Sequence, residues 1–361
     1  MMKKLIALAL SAVMVLSMAA CGGKEAETTA APAETTTAAA AGETTAAASE
    51  DPYANLPEVE LTLGSSAAST NIGYKIQSES AAKIEELTGG KLKINLVWDG
   101  TLGNDSELAE SCMGGNVDMV SMSSSPLLSY FPEIAVFDMP MVFETKEQAF
   151  AAMPAFTESF QPIMNAKGMQ VLSLGVQQFR GLSTNVNIQA PADLAGMSIR
   201  IMENKYHQAF WENLGAQPTP LAFSELYLAL QQGLVDAQDN PIAAIYNTKF
   251  HEVQDYYMKI TAFPFVSFTL INKETYDSLP AEYQELVVQF AQEYDLGSYN
   301  LAGEDEAQAI ENMGDACSEL PYTAEILAAM QEAAKPVWEQ IKNDIGAELP
   351  DAYLAAAEAA K

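Results

Sequence analysis

Two residues stand out by type before any pattern is drawn. The chain holds 18 lysines and arginines, and only two of them are arginines, Arg180 and Arg200. A lysine presents a point charge. An arginine presents a planar, permanently charged fork that meets a carboxylate through two parallel hydrogen bonds. A chain that uses lysine for ordinary charge and keeps arginine at two positions points toward recognition of an organic anion. The plainer alternative is that both sit on the surface or between domains. Asn240, in Asp239-Asn240-Pro241, is a third candidate. It falls where a strand ends and a helix begins, a place where α/β proteins set ligands. A helix cap would explain it equally well. Catalytic chemistry has no comparable signature: there is no nucleophile elbow, metal-binding histidine pair or phosphate-cradling glycine loop. The only histidines, His207 and His251, form no cluster with cysteines that would suit zinc. The sequence therefore suggests no enzyme, no metal and no cofactor.

These candidates need elements to position them. Alternation predicts strands at Val59 to Leu63 and Leu92 to Leu96, with further strands near Val117 to Ser121, Gln170 to Leu174, Ser198 to Met202, Leu234 to Gln238 and Phe265 to Ile271. Helical spacing predicts helices at Gly73 to Leu87, Asp105 to Met113, Tyr206 to Leu214, Glu225 to Gln232 and Ile242 to Lys249. Ser224 is a candidate cap for the fourth of these, and Gly233 a candidate stop. Alternating strands and helices over this length mean α/β domains. From Pro280 to about Asn312 the pattern is helical, with Leu286, Phe290 and Tyr294 on one face. Unbroken, such a rod would run about 50 Å and cross both domains. Gly297 and Gly303 argue against continuity.

The first residues read as an export signal, with Lys3 and Lys4 ahead of an apolar run from Leu5 to Leu16. That run is too short to span a membrane. Ala19-Ala20-Cys21-Gly22 resembles the bacterial lipobox, which implies acylation of Cys21 and a lipid anchor. Residues 21–57, rich in Ala, Thr and Glu, lack the apolar content to fold and read as a flexible tether. Removing Lys3 and Lys4 with the signal leaves 16 basic residues against 48 acidic ones. Nucleic acid and anionic headgroups are poor partners for it. Cys112 and Cys317 are read as two separate buried thiols, although a disulfide is chemically allowed in this compartment.

Three stretches carry a family resemblance: Pro191 to Arg200, Ala222 to Gly233, and Asp236-Ala237-Gln238-Asp239-Asn240-Pro241. Together with Leu102-Gly103-Asn104-Asp105 and the run from Phe131 to Pro140, they are similar to the solute receptors of tripartite ATP-independent (TRAP) transporters, the DctP family. The resemblance runs from about Val59 to Lys361. It implies a two-domain α/β fold of the periplasmic-binding-protein kind, with a hinge, an interdomain cleft and a long bridging helix. The division implied is residues 58–177 and 266–305 for one domain, and 178–265 and 306–361 for the other. It further implies that Arg200 pairs with the ligand carboxylate, that Arg180 is a second ligand arginine, and that Asn240 hydrogen-bonds the same carboxylate. The partners implied are a small organic acid and the small and large membrane subunits of the permease, with the receptor a monomer on the extracytoplasmic face. Ala237 and Asp239 depart mildly from the family's more usual Gly and Glu. Ser123 stands near the position where sialic-acid receptors carry a Glu, which weakens that ligand and leaves sugar acids, C4-dicarboxylates and keto acids. Trp98 and Trp211 could line the cleft or sit in the cores. A receptor for an ATP-driven importer or a chemosensory system is the alternative function. In each case the expected mechanism is closure of the two domains over an anion held by an arginine that waits in an open cleft.

Overall fold

The alternating stretch Val59-Glu60-Leu61-Thr62-Leu63 can bury one face and solvate the other, and it nucleates the first of two sheets. The computed structural model describes residues 51–361; the signal residues, Cys21 and the tether up to residue 50 lie outside them. Strand β1 (Val59–Gly64) pairs in parallel with β2 (Leu92–Val97) and β3 (Met119–Ser123). Strands β4 (Met169–Phe179) and β10 (Pro264–Asn272) complete the sheet in the order β2-β1-β3-β10-β4, with β10 antiparallel to both its neighbours. The second sheet has the order β11-β9-β5-β8-β6-β7. It comprises β5 (Gly181–Thr184), β6 (Ser198–Ile201), β7 (Gln217–Pro220), β8 (Ala237–Asn240), β9 (Tyr256–Met258) and β11 (Ser318–Glu319).

Ten α-helices accompany the sheets among the described residues. In chain order they are α1 (Ile72–Leu87), α2 (Asp105–Met113), α3 (Lys146–Asn165), α4 (Lys205–Asn213), α5 (Leu226–Gln231), α6 (Ile242–Asn247), α7 (Lys273–Ser278), α8 (Ala281–Met313), α9 (Ala324–Ile345) and α10 (Glu348–Ala359). This is a two-domain α/β fold, one sheet to each domain. The chain crosses between the sheets at a single residue, Arg180, which separates β4 from β5. It returns between β9 and β10, and there the Arg180 amide donates to the Phe263 carbonyl at 2.9 Å. The two crossings are thus tied together at the hinge. Gly181 follows, packed closely: a Cβ there would crowd Ile242 Cδ1, which would have to move, and would stand 3.2 Å from the Met258 carbonyl.

Helix α8 is one continuous element of 33 residues, despite its two glycines. Packing overrides propensity here. Its first half buries Leu286, Val287 and Phe290 in the core of the first sheet, and its end buries Met313 beside Leu230 and Phe250 of the second. At Gly297 helix α1 comes close, and an added Cβ would sit 3.2 Å from Ile76.

Four local expectations shift. The strand expected from Leu234 begins only at Ala237, because Gly233 turns with φ +67° and leaves Leu234 exposed, and the ladder partners of β8 start at Thr184 and Ile199. Ser224 caps nothing; it lies inside a 3-10 turn, Phe223–Glu225. Residues 51–57, read as part of the tether, lie on the body: Tyr53 stacks on Tyr283, whose hydroxyl donates to the Pro57 carbonyl at 2.9 Å. Helix α10, expected with the second domain, packs on the first, with Tyr353 edge-on to Phe137, Phe143 and Phe156. Cys112 and Cys317 are free, buried thiols, as expected.

Candidate ligand-binding site

Between the sheets lies a cavity of about 100 Å³ whose walls come from both domains. That is room for several water-sized groups, and so for a small solute rather than a peptide. Thr70 Oγ1 of the first domain donates to the Asn247 carbonyl of the second at 3.2 Å, joining the domains near the cavity.

Arg200 sits on β6 between β8 and β7, opposite Gln238 and Thr219. It does not wait in an open cleft: it is only 2% exposed. Its Nε and Nη2 both donate to the Leu221 carbonyl, at 2.9 and 2.7 Å, which fixes the plane of the guanidinium. No carboxylate among the described residues forms an ion pair with it. Burial, with the neighbouring charge of Arg180, lowers its pKa to about 10, so it stays charged at neutral pH.

Arg180 differs. It is 3% exposed, and its Nη2 donates to the Asp239 carbonyl, to Asp239 Oδ1 at 3.1 Å and to Asn240 Oδ1 at 3.1 Å. Its Nε has no partner. Burial works to raise the Asp239 carboxyl, but Arg180, His207 and Arg200 outweigh it and hold it below the usual carboxylate range. Behind Asp239 the polar chain continues. His207 Nδ1 lies 3.9 Å from Asp239 Oδ2 and its Nε2 lies 3.2 Å from Asp138 Oδ1, while its ring stacks on Phe263 at 3.8 Å. Ser125 Oγ donates to Asp138 at 2.6 Å.

Asn240 is no helix cap; Pro241 occupies that position. The Asn240 amide donates to Gln238 Oε1 at 2.6 Å, and Gln238 in turn donates to Ser183 Oγ at 2.7 Å. A fully buried strand of sequence Ala-Gln-Asp-Asn is tolerable only because each side chain has such partners.

The cavity brings Arg180, Arg200 and Asn240 together, and Ser123 and Trp98 join its walls. Trp211 is a core residue against Phe210. Sequence reasoning missed Asp105, Asp305, Gln177, Gln178 and Tyr294 as cavity residues. Signals existed for two. Asp105 ends the Leu102-Gly103-Asn104-Asp105 motif, where Asn104 caps α2 and leaves Asp105 in its first turn. The α8 stripe through Phe290 and Tyr294 continues at helical spacing to Ser298, Ala302 and Asp305, turning from apolar to polar as it enters the cavity. Burial raises the carboxyls of both Asp105 and Asp305, with Ser66 and Arg200 opposing it at Asp105.

Two α/β domains joined by crossing strands and a bridging helix, around an enclosed cavity, define an extracytoplasmic solute-binding protein. The chain belongs to the DctP family, bacterial extracellular solute-binding protein family 7, the receptors of TRAP transporters; the family's model matches residues 63–344. A solute-binding protein of Verminephrobacter eiseniae is 31% identical over 252 residues, covering 69% of this chain and 75% of that one. The 2,3-diketo-L-gulonate-binding periplasmic protein YiaO of Escherichia coli is 30% identical over 262 residues, covering 69% of this chain and 80% of its own. The crystal structure of the sugar acid binding protein DctPAm from Advenella mimigardefordensis, in complex with galactonate, superposes with a TM-score of 0.80. It is 26% identical and covers 85% of this chain and 100% of that one. No helix among the described residues is long and apolar enough to cross a membrane.

Proposed function

We propose that this receptor binds a small organic acid through a salt bridge between its carboxylate and Arg200, and hands it to the membrane subunits of a TRAP permease. One observation carries the reading: Arg200 is a buried, charged guanidinium without a carboxylate partner of its own. A buried charge is strongly unfavourable unless paired, and a ligand carboxylate would supply the direct contact that Asp239, Asp105 and Glu203 give only at longer range. Asn240 and the unpartnered Nε of Arg180 supply further donors on the same wall. The ligands named for YiaO and DctPAm, a diketogulonate and galactonate, are both carboxylates and agree with this. Arg180 then has two tasks, since it also neutralises Asp239 at the hinge. Closure excludes water and strengthens the ion pair, and contacts to both domains bias the protein toward the closed state. The receptor is no enzyme in this reading, and works as a monomer.

Calorimetric titration tests it. Arg200→Ala should lose about 3–5 kcal/mol of binding to whichever acid the wild type takes. Unchanged affinity in that variant would place the site elsewhere. The anchor is proposed at Cys21, in the lipobox-like Ala19-Ala20-Cys21-Gly22. A Cys21→Ser variant should move from the membrane to the soluble fraction with its affinity intact; retention on the membrane would end that part of the reading.

A further inference from the structure

One wall of the cavity is held from behind. Trp98 follows β2 and lines the cavity, yet it is buried. A cavity of about 100 Å³ leaves little slack, so a solute that fills it rests on this indole. The main chain around Trp98 is fixed. Asp99 takes φ +62°, a left-handed conformation that a residue other than glycine adopts rarely. Two contacts hold it there. Its amide donates to the Ala67 carbonyl at 3.0 Å, and its Oδ1 accepts from the Ser69 amide at 2.8 Å.

A fixed backbone still leaves a side chain free to turn about its own bonds. Helix α1 sets the plane of the indole. Gly73 lets the helix approach: an added Cβ would stand 2.8 Å from Tyr294 Cε2 and 3.4 Å from Trp98 Cη2. Tyr74 then meets the indole edge-on, with ring centroids 5.5 Å apart. One turn further along, Gln77 Oε1 accepts from Trp98 Nε1 at 3.2 Å. Gln77 itself does not line the cavity. It is wholly buried, and its Nε2 has no partner. An unpaired buried amide is unfavourable, and it offsets the single hydrogen bond that the side chain makes. Stability alone does not account for a glutamine at this position. The needs of the indole do: its N–H only donates, and once buried it requires an acceptor.

We infer that Gln77 is a positioning residue for ligand binding, acting through Trp98. It locks the indole plane before the solute arrives, so binding does not bear the cost of ordering that wall. The inference rests on the cavity being the site of the organic acid, as proposed above.

The test uses the full chain, stripped of bound solute, and Gln77→Met, which keeps an unbranched side chain of similar length and removes the acceptor. The probe is whichever of galactonate, glucuronate and succinate the wild type binds most tightly in calorimetry. Gln77→Met should weaken it about tenfold, the cost of ordering one loose side chain on binding. Its unfolding midpoint without ligand should stay near that of wild type. The chain has three tryptophans, so NMR shows three indole N–H signals, and Trp98→Phe identifies the one in question. In Gln77→Met that signal should shift and exchange faster with solvent. An unmoved signal overturns the inference, and so does a moved signal with unchanged affinity. A midpoint lowered by more than about 5 °C alongside the lost affinity makes the role structural and also overturns it. Trp98→Phe supplies a second arm, because it removes the donor. In that background Gln77→Met should cost no further affinity, and a second loss of equal size would mean that Gln77 acts by another route. All of these outcomes leave the carboxylate reading standing. A wild type that takes none of the three acids overturns that reading, and the inference falls with it.

Discussion

A lysine at position 200 would keep the charge and lose the fork. Arg200 uses Nε and Nη2 on the Leu221 carbonyl, and this anchoring aims the rest of the guanidinium. A flexible ammonium has no such plane to hold. Arg200→Lys should therefore weaken binding about 10- to 150-fold, the loss of one charge-assisted hydrogen bond, and less than Arg200→Ala does. The same calorimetry decides: Arg200→Lys binding as tightly as wild type would make the interaction a simple charge contact. The two arginines were legible from composition because their type is rare in this chain. Their difference in duty was not. Arg180 meets Asp239 across 59 residues of sequence and His207 meets Asp138 across 69, and no local pattern announces such pairs.

Elements explain what single residues do not. Helix α8 crosses β4 where Gly175 leaves a gap, and Asp295 fills it; a Cβ at Gly175 would stand 2.5 Å from Asp295 Cγ. Asp295 Oδ1 has no partner, and burial pushes the carboxyl up to about 7, with Ser173 pulling the other way. The folded state thus holds a proton that the unfolded chain releases near the ordinary aspartate value of 3.8. Stability should fall as pH rises through this window, by about 3 kcal/mol between pH 5 and pH 8 from this group. Asp295→Asn should remove that part of the slope and be the more stable protein at pH 8. Urea unfolding of both at the two pH values measures it, and parallel slopes would discount the argument. The outline of α8 was legible, because its stripe is long and strongly periodic. Its continuity was not, because the helix survives Gly297 through contact with Ile76, a residue more than 200 positions earlier. The edge at β8 slipped for a related reason: ladder partners set where a short strand starts, and local sequence does not name them.

At the scale of the whole molecule, one sheet per domain and two strand crossings at Arg180 and Phe263 make a hinge, and α8 is the third link. Its two ends are buried in different cores, while Leu296 and Leu301 in mid-span are exposed. If the domains part, as the proposed closure requires, the middle of this rod must bend, and glycine is where helices yield most readily. Gly303 is free of crowding, since an added Cβ would meet only Lys146 Nζ at 3.8 Å. Gly303→Ala should stiffen the helix by about 1 kcal/mol and slow ligand release about fivefold, with the cavity untouched. Stopped-flow dissociation kinetics read this, and an unchanged rate alongside higher thermal stability would make α8 a passenger in the motion. If the rod does flex, it behaves as a leaf spring. Clamped at both ends, loaded in one state and slack in the other, it supplies a restoring force of its own, so a receptor proposed to grip its cargo through a buried ion pair also carries the recoil needed to let that cargo go.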